Sequence, residues 1–313
     1  MSELLKIGVA GVGAIGKNHA RICASLENAT LAAIYDTDMQ RAQEIAAQYG
    51  TKAVDNLADF AAAIDAATVA VSTVAHRHVA GYLLEHGKHV LVEKPISEHL
   101  DEALEMVQLA SARDLILQVG HIERFNPVLK QLEERIHIPR FIEATRLSPF
   151  PNRSMDIGVV LDVMIHDLEI ILHLVRSPLV SVDAVGTPVL TRREDIANAR
   201  LRFANGCVAN VTASRISDKK MRKVQVFHSE GYISLDYQEQ TGHIYTRDGM
   251  EIKREEVQVE KDEPLKLELA AFAECARRGV QPLVTGQQGA DALKLAIQIT
   301  EAIAQNNLAH QPK

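Results

Sequence analysis

The 313 residues include no tryptophan, only 4% are aromatic, and cysteine occurs three times. Cys23, Cys207 and Cys275 make no C-x-x-C pair and no even framework, which argues for reduced thiols and a cytoplasmic protein. The N-terminus lacks a basic region followed by a long apolar stretch, so no signal peptide is expected. No run has the apolar length needed to span a bilayer, so no membrane partner is expected either. Positive charge is scarce as well: 34 Lys and Arg stand against 41 Asp and Glu, a net charge of −7. Without a dense basic cluster to follow a phosphate backbone, nucleic acid is not an expected partner. Internal repeats and low-complexity segments are also missing.

What remains is a globular composition, 47% hydrophobic and 24% charged, with length enough for two domains. Leu4–Ala10, Leu31–Tyr35, Thr68–Ser72, His89–Val92 and Leu115–Val119 are short, nearly continuous apolar runs, like strands buried on both faces of a parallel sheet. Helical periodicity fills the intervals, so residues 1–120 are expected to form a doubly wound α/β domain. Beyond residue 120 the pattern changes to a helix at Asn126–Arg135, an apolar helix at Gly158–Val175 and then a series of β-like segments. Two further helices, Leu265–Arg277 and Gly289–Gln305, end the chain. Residues 121–313 are therefore expected to be an α+β domain with a mixed or antiparallel sheet.

The stretch "KIGVAGVGAIGKNHA" carries Gly11, Gly13 and Gly16 between the first strand and the first helix. The first glycine suits the tight turn and the second the approach of a pyrophosphate. The third suits close helix–sheet packing, with the phosphate at the helix N-terminus. Ala14 and Ile15 complete that loop. The fingerprint needs an acid about 20 residues further on, at the end of the second strand. Asp36 follows "LAAIY" at that place. Its carboxylate suits the ribose hydroxyls and repels a 2′-phosphate, and no arginine immediately follows it, so the expected cofactor is NAD.

"HVLVEKPIS" ends a buried strand in Glu93, Lys94 and Pro95, at the strand end that faces ligands in such sheets. On the later apolar helix, Asp162, His166, Glu169 and His173 fall on one stripe. A polar stripe on a buried helix must face partners, water or a ligand. A ligand site, an internal hydrogen-bond network and a metal site are all compatible with it; no metal is expected, because no matching ligand cluster occurs elsewhere.

Together, the glycine loop, E-K-P and D-x-x-x-H resemble the glucose–fructose oxidoreductase, inositol dehydrogenase and rhizopine-catabolism family over essentially the whole chain. The resemblance implies a Rossmann domain and a second domain whose large open sheet builds a homodimer or homotetramer. It implies that Lys94 lies near the nicotinamide and the reacting carbinol, with Asp162 and with His166 as the base. It also implies cofactor contacts from Ser72, Thr73, His78, Glu93 and His121, and a cis bond before Pro95. One departure is that the family's T-P-N-x-x-H reads Thr73-Val74-Ala75-His76-Arg77-His78, which leaves His78 in register and His76 as a surface residue. "GHIERFNP" most resembles the branch acting on nucleotide-linked amino sugars. That implies oxidation of UDP-N-acetylglucosamine at C3 on the way to lipid A, with Arg124 and Asn126 as substrate contacts; Arg153 is a further arginine suited to a diphosphate. A structural salt bridge is the competing role for Arg124. The rival functions are a dehydrogenase of inositol or a free sugar, and a non-catalytic NAD-binding regulator.

Overall fold

The computed structural model describes residues 4–150 and 157–309. The chain divides into two compact units, Met1–Ile122 with Glu263–Ala290, and Glu123–Asp262 with Asp291–Lys313.

In the first unit six strands run parallel: β1 (Leu5–Ala10), β2 (Ala29–Tyr35), β3 (Lys52–Val54), β4 (Ala66–Val69), β5 (His89–Glu93) and β6 (Leu117–Gly120). Their order, β3-β2-β1-β4-β5-β6, reverses direction between β1 and β4, the switch point at which open α/β sheets bind ligands. Helices α1 (Gly16–Cys23), α2 (Met39–Tyr49), α3 (Leu57–Ala63), α4 (His76–Glu85) and α5 (Leu100–Ala112) make the crossovers. Local chemistry sets their ends. The Asp38 side chain accepts from Arg41 N–H to start α2, which stops at Gly50 with φ 66°. β3, three residues at the sheet edge, is too short to show periodicity.

The second unit holds an eight-stranded sheet: β7 (Phe141–Leu147), β8 (Leu179–Thr187), β9 (Ile196–Phe203), β10 (Val208–Ser214), β11 (Met221–His228), β12 (Gly231–Asp236), β13 (Thr241–Asp248) and β14 (Glu251–Glu256). The order is β14-β13-β12-β11-β7-β10-β9-β8, and every pair is antiparallel except β7 with β10. In β9 alternate residues turn inward, so Ala197, Ala199, Leu201 and Phe203 join one core with Ile165, Leu168 and Ile171. On the other face Phe227, Tyr232 and Tyr245 stack across strands, with centroids 4.8 and 4.2 Å apart. The charged sequence of β14 is wholly exposed and carries no apolar alternation, which is why it escapes a periodicity reading.

Two helices differ from expectation. Asn126–Arg135 is not one helix: a 3-10 turn at Ile122–Phe125 precedes α6 (Lys130–Arg135), with Pro127 between them. The apolar helix opens as a π segment at Val160–Met164 and continues as α7 (Ile165–Val175). Helices α8 (Pro264–Arg278) and α9 (Gly286–Ala309) close the fold. Residues 263–290, assigned to the second domain from sequence order, cluster with the first unit. Leu269, Phe272, Ala273 and Ala276 of α8 share a core with Ile7, Ile22 and Ala42.

Candidate active site

The glycine loop leaves β1 at the switch point. Gly11 has φ 83°, and a Cβ there would meet the Ala70 and Val71 backbone at 2.8 Å. A Cβ on Gly16 would lie 1.8 Å from the Gly11 carbonyl oxygen, so α1 can start this close to the loop only with glycine. At Gly13 a Cβ would meet nothing within 4 Å, which leaves open space over the backbone. Ala14 and Ile15 are exposed beside it. An open bend at a helix N-terminus, without a side chain at Gly13, fits a pyrophosphate.

Asp36 closes β2 on the same side. Its Oδ2 accepts from Val12 N–H at 2.7 Å and its Oδ1 from Asp38 N–H at 2.9 Å. Arg41, in the first turn of α2, reaches back with Nη2 2.9 Å from Oδ1. Burial works against the charge, but Arg41 and the two amides outweigh it and hold the carboxyl below its usual range. No arginine immediately follows Asp36, yet one returns to it through the fold.

The other expected cofactor residues follow the ends of neighbouring strands. Ser72 (exposed) and Thr73 (half-buried) come after β4, Glu93 ends β5, Lys94 follows it, and His121 follows β6 and is buried. The Lys94–Pro95 bond is cis. His76 is not a surface residue: it is 1% exposed, with Nδ1 2.9 Å from the Pro95 carbonyl oxygen and Nε2 3.2 Å from that of Val71. Burial lowers its affinity for a proton. The neutral ring carries one N–H, so it donates to one of these two carbonyls and packs against the other. His78 is the exposed one, in the first turn of α4.

In the second unit the polar stripe divides. Asp162, in the π segment, and His166, in the first turn of α7, are half-buried. Single π turns inside helices recur at functional sites. Glu169 and His173 belong to an internal network: Arg124 donates to Glu169 Oε1 at 2.7 Å and lies 3.2 Å from His173 Nε2, which is itself 2.9 Å from Glu133. The network reading thus holds for this half of the stripe. Among the described residues no group of three or more His, Cys, Asp and Glu side chains could hold a metal ion.

Arg124 and Asn126, expected as substrate contacts, are both buried and make internal bonds. The Arg124 side chain is 1% exposed and committed to carboxylates. Asn126 donates to the Tyr237 carbonyl at 2.9 Å and to Glu123 at 3.3 Å. Arg153 lies outside the described residues. Sequence reasoning also missed Glu123, Arg146 and Asp167, a buried ion cluster, and the contact of buried His19 with Glu93. The signal was present in α7, where Asp167 and Glu169 sit among apolar residues and need cations opposite.

Comparison with known proteins agrees with this arrangement. Residues 5–121 match the model of the "Oxidoreductase family, NAD-binding Rossmann fold", and residues 135–234 that of the "GFO/IDH/MocA C-terminal domain". The chain belongs to the GFO/IDH/MocA family. It is an NAD-dependent oxidoreductase. It is 34% identical over 306 residues to the UDP-N-acetylglucosamine 3-dehydrogenase of Acidithiobacillus ferrooxidans, covering 96% of this chain and 97% of that one. A solved structure of that dehydrogenase superposes with a TM-score of 0.92, covering 97% of this chain and 99% of the other. Myo-inositol 2-dehydrogenase of Thermotoga maritima is 29% identical over 315 residues, with 93% and 94% covered.

The Asp36 geometry yields a test. Asp36→Ser should narrow the preference for NAD over NADP mainly by improving NADP, since it removes the repelling carboxylate and releases Arg41 to meet a 2′-phosphate. Steady-state constants for both cofactors check this. A native protein that already prefers NADP would overturn the role given to Asp36.

Proposed function

We propose that this family member oxidises a sugar carbinol, and that its substrate is UDP-N-acetylglucosamine, converted at C3 to the 3-keto sugar for later amination in lipid A biosynthesis. The observation that carries this reading is the 34% identity, spread over 96% of the chain, to a dehydrogenase of that name. The glycine loop and Asp36 would hold NAD, which supplies the hydride acceptor. His166 takes the hydroxyl proton as the carbinol carbon becomes a carbonyl carbon, a task suited to an imidazole near neutral pH. The Lys94 ammonium steadies the charge developing on that oxygen, and Asp162 orients His166 or binds a neighbouring hydroxyl. The remote nucleotide supplies binding energy that holds the reacting carbon in place.

Arg124 and Asn126 are bonded internally, so this scheme gives the diphosphate contact to Arg153, whose guanidinium suits phosphate oxygens. A cytoplasmic enzyme is consistent with three free cysteines, two of them buried. We assign the aromatic-bearing face of the eight-stranded sheet to contact between copies, as a homodimer or homotetramer.

Nicotinamide absorbance, followed with a panel of sugars, tests the substrate. UDP-N-acetylglucosamine should turn over, and free N-acetylglucosamine should be a very poor substrate. Turnover of myo-inositol with no response to UDP-sugars would overturn the assignment in favour of the inositol 2-dehydrogenase reading, which the 29% identical relative supports.

A further inference from the structure

The π segment that carries Asp162 is gripped from outside by the turn between β8 and β9, within the second unit. Glu194, near the end of that turn and 7% exposed, accepts twice from the start of the segment. Its backbone carbonyl takes the Val159 N–H at 2.9 Å, and its Oε1 takes that of Val160 at 3.5 Å. Amides at a helix start have no partner within the helix, so these bonds cap it. Gly158 lies against the same carboxyl: a Cβ there would stand 1.8 Å from Oε1 and 2.3 Å from Cδ. The carboxyl occupies the space that any side chain at residue 158 would need.

A buried ion pair braces the turn. Asp195 and Arg215, the residue after β10, are both 0% exposed, with Nε 2.8 Å from Oδ1. Asp195 Oδ2 accepts from the N–H groups of Val189, Leu190 and Thr191 at 2.8, 2.7 and 2.9 Å, which curls the turn around it. Arg215 also donates through Nη2 to Thr191 Oγ1 at 3.0 Å and through Nη1 to the Ile157 carbonyl at 2.9 Å. A fully buried guanidinium is costly unless a carboxylate and further acceptors satisfy it, so these bonds favour one arrangement. The chain entering the segment is thus held at the carbonyl of Ile157 and at the amides of Val159 and Val160.

The grip falls on the residue that closes the π turn. The Ile165 N–H bonds to the Val160 carbonyl, five residues back. Asp162 lies inside that turn, and His166 comes one residue after it closes. Relaxation of the turn to ordinary α-helix would move Asp162 relative to His166. We propose that Glu194, braced by Asp195 and Arg215, is a positioning residue that holds the π turn and so the placement of Asp162 relative to His166. The consequence for catalysis rests on the roles proposed above for those two residues; the placement itself does not.

Glu194→Ala keeps the backbone bond and removes the carboxyl. It should lower kcat on the order of 10²-fold, the cost of a misplacement of about 1 Å. KM for NAD should stay close to wild type, since the glycine loop and Asp36 belong to the first unit. Glu194→Gln keeps an oxygen that can accept from Val160 and should restore most of the rate. Gly158→Ala reaches the same contact from the other side, because its methyl group displaces the carboxyl, and it should lose rate likewise. The double variant Gly158→Ala, Glu194→Ala should be no slower than the slower single one, as expected of two changes to one contact. Should Glu194→Ala fail to fold, Gly158→Ala with wild-type Glu194 carries the same test. A second readout needs no turnover. With histidine rings labelled, the His166 resonances, identified by their loss in His166→Ala, should shift in Glu194→Ala and Gly158→Ala and return in Glu194→Gln. Resonances unmoved in both variants overturn the positioning role. A shift with unaltered kcat overturns it too, as do additive losses in the double variant. If the wild type oxidises no sugar, the substrate reading fails and the resonances alone decide the placement.

Discussion

His166→Ala should lower turnover by about 10²–10⁴-fold, the usual worth of a positioned acid–base group, while NAD binding stays near that of the unaltered protein. The expectation follows from where the residue lies. His166 occupies the first turn of α7, four residues after Asp162 in the π segment, and both are half-buried while Asp167 and Glu169 are buried. The cofactor fingerprint belongs to the first unit and His166 to the second, so its loss should leave the loop and Asp36 undisturbed. Cofactor titration and nicotinamide absorbance on the same preparation check the two halves. Turnover near that of wild type would remove His166 from the mechanism. Activity abolished by a chelator and restored by zinc would replace the acid–base role with a metal-bound one.

Much of this arrangement is legible in the sequence because the features that write it are local. The strands of the first sheet are apolar on both faces, and the spacing from Gly16 to Asp36 is that of a single strand–helix–strand unit. Pairing across long separations is not local. "GHIERFNP" shows that Arg124 and Asn126 matter, but not that Glu169, 45 residues away, takes the guanidinium, or that Tyr237 takes the amide. Likewise the apolar stripe of α8 says that one face is buried without saying in which core. The isolated glutamate within it, Glu268, carries no partner in its periodicity.

The second large effect concerns stability: Arg146→Met should destabilise the second unit by about 3–5 kcal/mol, the usual cost of removing one partner from a buried ion pair. Arg146 is 5% exposed and donates through Nε and Nη2 to the two oxygens of Asp167, each at 2.9 Å, and through Nη1 to Glu123 at 2.7 Å. Burial opposes its charge, but the two carboxylates outweigh it and raise its hold on the proton. The same contact, helped by Arg222 and Asn126, keeps Glu123 below the usual carboxylate range despite burial. In wild type the Glu123 contribution is therefore present above the ordinary glutamate value of about 4.3 and is lost as pH falls through its lowered value. In the variant the share of this lowering that Arg146 supplies is gone, so its stability falls less steeply on acidification. The gap should thus be widest at neutral pH and narrow toward pH of about 4. Urea unfolding at a series of pH values reads it, with tyrosine emission as the probe, since the chain has no tryptophan and the guanidinium lies 6.0 Å from the Tyr237 ring. Replacing Glu123 and Asp167 together with Arg146 by apolar residues of similar volume should restore most of the loss, because no charge is then left buried alone. A gap that does not vary with pH, or a triple variant no better than the single one, would show that Arg146 acts by packing and not by pairing.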